Sequence, residues 1–387
     1  MKITHIALCG PVTDGLSYQD NLLPKYHKEN GFEVSMITSK FIWSKKGKIV
    51  KDKRNEYINE YGIKTIRLDT KREAKFSNKF KKYINLFEAI ENEEPNVLFI
   101  HGVQFLDIAI IKRYLDTHRN ILVYVDNHAD FSNSASNWLS KNILHKIIWR
   151  YCAQLIEPYT KKFYGVLPAR VDFLVDIYKV PQQKVELLLL GAEDDKVKKA
   201  LNKRNIRQIR ENHSIEEDDF LIVTGGKIDD AKKQTLLLMD AVRQINNPRI
   251  KLIIFGSVAE ELREQVVKLI DDKKIQYIGW INGEESYKYF AASDLVVFPG
   301  RHSVYWEQVV AIGIPMIVKY WEGTTHIDIG GNCLYLEKDS KIEIQEKIEY
   351  LLNYPNKHAE MKSIAQSSGK KEFLYSRISA KSIKYIE

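Results

Sequence analysis

The sequence predicts an α/β protein made of two doubly wound domains. Short runs of β-branched and aromatic residues alternate with helical patterns along the chain, which means parallel sheets with helices on both faces. The alternation forms two series, and 387 residues are enough for two separate cores. The series meet near 190–195, where an apolar run gives way to Gly191 and the polar cluster Glu193, Asp194 and Asp195. In such folds the ligand lies outside the carboxyl ends of the strands.

In the first series, strands are expected at 3–8, 34–37, 65–68, 97–100, 121–125, 163–167 and 185–190. Helices are expected between most of them, among them 17–30, closed by Gly31, and 105–118. The second series has strands at 220–224, 252–255, 276–278, 295–298 and 316–318. The tail from 370 to 385 reads as a terminal helix. No repeat of solenoid length and no low-complexity tract interrupts the chain.

Composition excludes several classes. The chain is 44% hydrophobic and 28% charged, as a soluble globular protein is. No apolar run approaches the roughly 18 residues of a membrane span, and residues 1–10 are too polar for a signal peptide. Cys9, Cys152 and Cys333 are scattered and odd in number, without metal-ligand spacing, which fits a reducing cytoplasm. The net charge of +8 comes without a nucleic-acid motif, so no nucleic-acid partner is expected. Residues 71–87 combine lysines with Phe76, Phe80, Tyr83 and Phe87 near helical spacing. This stretch reads either as a contact with an anionic membrane or as a helix with inward aromatics.

The most informative stretch, 298–315, reads FPGRHSVYWEQVVAIGIP. It is the end of a strand, a glycine loop, a short helix and a stop. Ser303 is the expected N-cap, Gly313 suits the left-handed position after the last turn, and Pro315 bars continuation. Amides exposed at a helix start attract phosphate. Glu307, four residues after Ser303, projects from the same face and suits sugar hydroxyls. Phosphate beside a diol describes a sugar nucleotide.

Residues 220–239, FLIVTGGKIDDAKKQTLLLM, form a strand, a Gly-Gly-Lys turn and a helix entry. Gly226 lets the backbone approach a ligand, while Lys227 and Lys233 place two cations over a diphosphate. The Walker pattern is missing, which argues against a nucleoside triphosphatase. In the first series, CGPVTDGLS (9–17) joins strand to helix, with Ser17 and Asp20 spaced as a capping box. It is no dinucleotide fingerprint, which removes support for a dehydrogenase, though Gly15 suits a loop closing over phosphates. The strand at 121–125 ends in Asp126, Asn127, His128 and Asp130, polar groups where site residues gather.

These motifs together resemble the family-4 retaining glycosyltransferases with the two-domain GT-B fold, in particular bacterial members that build surface polysaccharides. The resemblance rests on Asp14, Gly15 and residues 17–26, on Asp126 to His128, on Gly225 to Lys227 with Lys233, and on residues 306–315. It implies an acceptor-side domain over 1–193, completed by a terminal helix from 370 to 387, and a nucleotide-sugar domain over 194–369. It further implies that Lys227 and Lys233 grip the donor diphosphate and that Glu307 binds ribose hydroxyls. The lysine interval is one residue longer than the common pattern, which leaves Lys232 as the neighbouring candidate.

The implied catalytic set is His128, Lys227, Lys233 and Glu307. Gly15, Gly226, His302, Ser303 and Val304 join the lysines and Glu307 around the donor, and Tyr18, Asp126, Asp130 and Arg301 contact substrate. The family's earlier glutamate is replaced by Pro299, with Arg301 and His302 in the shortened loop. Either His302 takes over the sugar contact or donor activation is lost. The expected reaction is retaining transfer from a nucleotide sugar, chiefly a UDP-sugar, to a lipid-linked or surface glycan, with no cofactor and no metal. The expected place is the cytoplasm, with possible contact at the inner membrane face. The alternatives are a catalytically silent GT-B subunit that binds a partner transferase or glycan, and a UDP-sugar epimerase.

Overall fold

The two series fold as two units in a computed structural model that describes residues 1–44, 48–71, 80–135, 137–271 and 273–386. The first unit is Met1–Leu189 with the segment beginning at Ile378, and the second is Leu190–Arg377.

The first unit carries β1 (Lys2–Ala7), β2 (Glu33–Ser39), β3 (Phe41–Trp43), β4 (Ile49–Lys51), β5 (Glu56–Ile58), β6 (Lys64–Leu68), β7 (Val97–His101), β8 (Leu122–Asn127), β9 (Thr160–Gly165) and β10 (Val185–Leu187). Eight of these form one sheet in the order β10-β9-β8-β7-β1-β2-β6-β5, while β3 and β4 pair as a hairpin. Within the eight-stranded sheet the pairings are parallel except at β5–β6. Strand order reverses at β1, which lies between β2 and β7. Such a switch point opens a crevice at the carboxyl ends of its strands. The register sets His101 opposite Asp126 and Asn127 opposite Gly165, so four polar or small residues share one edge. Strand β7 is buried along its whole length, as a parallel strand covered on both faces must be.

Two expectations for local structure do not hold here. The first helix spans Gln19–Glu29 with Tyr18 as its N-cap and no side-chain cap, so Ser17 and Asp20 form no capping box. The tail forms a tight turn over Ser368–Phe373 and a helix only over Tyr375–Ser382. Within 71–87, residues 72–79, Phe76 among them, lie outside the described residues. Beyond them Lys81 and Tyr83 are buried, and the Tyr83 hydroxyl donates to the Leu8 carbonyl at 2.8 Å. The aromatics of this stretch therefore do not share one outer face.

The second unit carries β11 (Phe220–Gly225), β12 (Ile250–Phe255), β13 (Ile275–Tyr277), β14 (Leu295–Phe298), β15 (Met316–Lys319) and β16 (Cys333–Leu336), the last unforeseen. They form a parallel sheet in the order β13-β12-β11-β14-β15-β16, with the switch point between β11 and β14. Helix Gln234–Gln244 buries Leu238, Met239, Ala241 and Val242 against it. No helix among the described residues is long and apolar enough to cross a membrane.

Candidate active site

A pocket lies at the switch point of the second unit, where β11, β12 and β14 end. Its walls include Gly225, Gly226, Lys227, Lys232, Arg301 and Ser303. Gly226 has φ +126°, a backbone that favours glycine, and its N–H donates to the Phe255 carbonyl at 3.0 Å. A Cβ on Gly256 would stand 1.9 Å from the Gly226 carbonyl oxygen, so the loops after β11 and β12 touch backbone to backbone. That contact fixes the glycine turn against the sheet and leaves its open side to the pocket.

The two lysines separate in role from the expectation. Lys233 is exposed at the N-cap of helix Gln234–Gln244 and lies outside the pocket wall. Lys232 lines the wall instead, because one residue of helix entry turns the next side chain away. Burial pushes the Lys232 ammonium below its ordinary value, with Asp229 the charge that opposes the shift. A desolvated cation beside a glycine turn gains most from an anion placed there. Lys227 stays exposed and pairs with Asp229 at 3.2 Å.

Helix Tyr305–Ile312 starts one residue later than expected. Val304 is its N-cap and Ser303 caps nothing with its side chain, although Ser303 still faces the pocket. The stop is as expected: Gly313 has φ +91° and its N–H donates to Val309 at 3.0 Å. Glu307 is fully buried on this helix. His302 Nε2 and His326 Nε2 lie 2.7 and 2.8 Å from the same oxygen, Glu307 Oε1. Burial opposes ionisation, yet the two histidines outweigh it and hold the carboxyl well below the usual range. An ionised carboxylate only accepts, so both rings must present Nε2–H to it. Glu307 Oε2 is buried with no hydrogen-bond partner among the described residues. Glu307 itself lies outside the pocket wall, as Lys233 does. His326 had no signal in the sequence: it sits 19 positions from Glu307 in the short turn Thr325–Ile327.

In the first unit, the carboxyl ends of β7 and β8 hold a second polar cluster. Asp126 is fully buried and its Oδ2 lies 2.8 Å from His101 Nδ1 and 3.4 Å from His128 Nε2. Behind it runs a chain of buried rings: His101 Nε2 to His5 Nδ1 at 2.9 Å, His5 Nε2 to His27 Nδ1 at 3.0 Å, and His27 Nε2 to Ser382 Oγ at 2.8 Å. Each neutral ring has one donor and one acceptor nitrogen, so all bonds in the chain must point the same way. With His101 doubly protonated they point from His101 to Ser382, whose own hydroxyl then donates to the Ser379 carbonyl at 2.7 Å. Burial opposes charge on His101, yet Asp126 and, more weakly, Asp20 raise it overall. Burial and the neighbouring rings drive His5 well down, and burial first of all takes His27 to about 3. The raised His101 and the Ser382 bond to the Ser379 carbonyl both fit the direction that starts at His101, whereas a neutral His101 would reverse the chain and give up the Ser379 bond.

The remaining expected site residues of this unit fall into different roles. Asp130 Oδ1 accepts from the Ser132 and Asn133 amides and Oδ2 from Arg170 Nε at 2.9 Å, so its oxygens serve a turn and an ion pair rather than standing free for substrate. Asp126 is likewise enclosed beneath His128 rather than offered at the surface. Gly15 has φ +79° and donates its N–H to Glu60 Oε1 at 2.6 Å, while Tyr18 is half exposed beside it. Ligand-type atoms of Asp20, His101, Asp126 and His128 lie within 4.8 Å of one another, as do those of His302, Glu307 and His326. In both sets the shortest contacts are hydrogen bonds between a ring nitrogen and a carboxylate.

Two parallel α/β sheets, each ending in a polar crevice at its switch point, define the GT-B architecture. Residues 205–368, inside the second unit, match the family model described as Glycosyl transferases group 1. No curated protein matches the chain. Among solved structures, a glycosyltransferase from Rickettsia africae ESF-5 superposes with a TM-score of 0.71 at 14% identity, over 99% of this chain and 97% of that one. Anabaena Alr3699/HepE in complex with UDP does so with a TM-score of 0.71 at 14% identity, over 100% and 99%. The UDP-GlcNAc 2-epimerase from Neisseria meningitidis bound to UDP-GlcNAc gives 0.61 at 12%, over 99% of each. The matched domain and the shared fold support a GT-B glycosyltransferase.

Proposed function

We propose that the chain is a retaining glycosyltransferase that moves a sugar from a UDP-sugar to a lipid-linked or cell-surface glycan during polysaccharide assembly. The observation that carries the reading is Lys232, a desolvated cation in the wall of a glycine-lined pocket, on the same sheet edge as a buried, ionised Glu307. Lys227 and Lys232 take the diphosphate, and Glu307 Oε2 accepts from a ribose hydroxyl. Arg301 and Ser303 complete the wall, and His128 of the first unit is assigned to the transferred sugar.

In the reaction the bond from the anomeric carbon to the phosphate oxygen breaks while the acceptor oxygen forms its bond on the same face. The acceptor's proton passes to the departing phosphate. The growing negative charge falls to the lysines and the loop amides, the kind of fixed electrostatic support that supplies most of an enzyme's rate. No protein nucleophile and no metal ion is required by these steps. The test is UDP release from a panel of UDP-sugars by the full chain, with Lys232→Ala and Glu307→Gln as controls. Activity that survives both substitutions removes the site assignment. Absence of any UDP binding by calorimetry favours a silent subunit, and an epimerised UDP-sugar formed without acceptor favours an epimerase.

A further inference from the structure

Behind His128 lies a buried polar file that the transfer steps do not use. Asp126, His101, His5, His27 and Ser382 come from β8, β7, β1, helix Gln19–Glu29 and the terminal helix, and all five are buried. The rings of His5 and His27 also pack on Phe99, with centroids 5.3 and 5.9 Å away. All six nitrogens of the three rings are taken, with Asp126 at one end of the file and Ser382 at the other. Apolar side chains of that shape would pack there at little cost, whereas a fully bonded network fixes one arrangement of its members.

The near end of the file decides the state of His128. Asp126 Oδ2 has His101 Nδ1 at 2.8 Å, Gln19 Nε2 at 3.3 Å and His128 Nε2 at 3.4 Å, while Asp20 Oδ1 stands 3.4 Å from His101 Nδ1. His128 Nε2 is buried with no hydrogen-bond partner among the described residues, so the Asp126 carboxylate is the acceptor it faces. The His128 side chain is nevertheless 38% exposed, so its other edge meets the crevice. With His101 as the cation beside it, Asp126 stays ionised and only accepts. His128 then keeps a single proton, on Nε2, and turns the lone pair of Nδ1 outward. Without that cation, the buried carboxylate either takes a proton on oxygen and donates it to His128 Nε2, or leaves the positive charge to His128. In both cases Nδ1 carries a proton.

We propose that His101 is a positioning residue: held by His5, His27 and Ser382, it sets His128 in the tautomer whose Nδ1 accepts a hydrogen bond from a ligand hydroxyl. His101 is buried and acts only through Asp126. That the hydroxyl belongs to the transferred sugar rests on the proposed function; the tautomer does not.

Nitrogen NMR of the full chain labelled at histidine, at pH 7 and without any sugar nucleotide, tests it. His128→Gln identifies the His128 signals by their loss. The parent is expected to show a protonated Nε2 and a bare Nδ1 at His128. His101→Gln keeps an N–H donor beside Asp126 but not the charge, and should replace the bare Nδ1 signal with a protonated one. Ser382→Ala touches neither Asp126 nor His128, yet it removes the bond to the Ser379 carbonyl that favours the outward direction. A protonated Nδ1 signal should grow in there too, which a purely structural role for the file would not cause. Unchanged backbone amide signals away from the file certify the fold of each variant. A parent with Nδ1 protonated, or a bare Nδ1 that persists in His101→Gln or in Ser382→Ala, would overturn the proposal. A chain that shows the bare Nδ1 and its loss in both variants, but releases no UDP from any UDP-sugar, would keep this inference and lose the proposed function.

Discussion

His326 Nε2 lies 2.8 Å from Glu307 Oε1, on the oxygen that His302 also contacts. Two donors on one oxygen fix the carboxylate's rotation and leave Oε2 buried without a partner among the described residues. Removing one of them should loosen that orientation. His326→Ala is expected to weaken UDP binding about tenfold, the scale of a hydrogen bond to a charged group. His326→Gln keeps an N–H donor at nearly the same reach and should recover most of the loss. Calorimetric titration with UDP reads both, and equal affinity in the alanine variant and the parent would remove His326 from the site.

The two lysines offer a sharper comparison. Lys232 lines the pocket and Lys233 is exposed at the helix entry. Lys232→Ala should lower UDP affinity by about ten- to a hundredfold, as loss of a charge-assisted contact does. Lys233→Ala should stay within about twofold, since an exposed charge is well screened. The reverse ranking would show that the interval in the sequence, and not the wall of the pocket, identifies the phosphate ligand.

The sheets were legible because parallel strands buried on both faces read as unbroken apolar runs, as β7 does. The short helix that carries Glu307 was legible for a similar reason: a glycine stop and a proline after it marked its end. What escaped the sequence depends on contacts between distant residues. His5, His27 and His101 lie in separate elements, and only the pairing of β1 with β7 and the packing of helix Gln19–Glu29 bring their rings together. The helix over Ser140–Trp149 escaped because its five-residue bonding breaks the usual periodicity. The choice between Lys232 and Lys233 turned on one residue of helix entry, finer than a pattern resolves.

Gly256 tests how the pocket is held. It has φ +129°, and a Cβ there would meet the Gly226 carbonyl at 1.9 Å, a backbone atom that cannot swing aside. Gly256→Ala should destabilise the second unit by about 2 kcal/mol or more, from strain and the forced separation of two loops. The same variant should lose UDP affinity, because the displaced loop carries Gly226. Urea unfolding and UDP titration read the two effects, and a variant matching the parent in both would show that the loops are not in contact.

The histidine chain makes stability depend on pH in a range where carboxylates are silent. Burial depresses His27 from 6.5 to about 3 and drives His5 well down. A depressed base stays neutral in the folded protein while its unfolded form takes up a proton, so its contribution is full above about 6.5 and is lost as pH falls toward about 3. His101 is raised and has the opposite sign, its contribution present in acid and lost as pH rises through its folded value. Two depressed rings against one raised ring leave acid as the destabilising direction. Between pH 7 and pH 5 ordinary carboxylates remain ionised, so the histidines dominate there. His27 alone contributes about 2 kcal/mol of loss at pH 5. Thermal unfolding should show the melting temperature falling across that interval, and His27→Phe, which removes the titrating ring, should flatten the fall at the cost of lower stability at pH 7. A parent whose melting temperature holds steady or rises from pH 7 to pH 5 would show that His5 and His27 are not buried as neutral rings behind a charged His101.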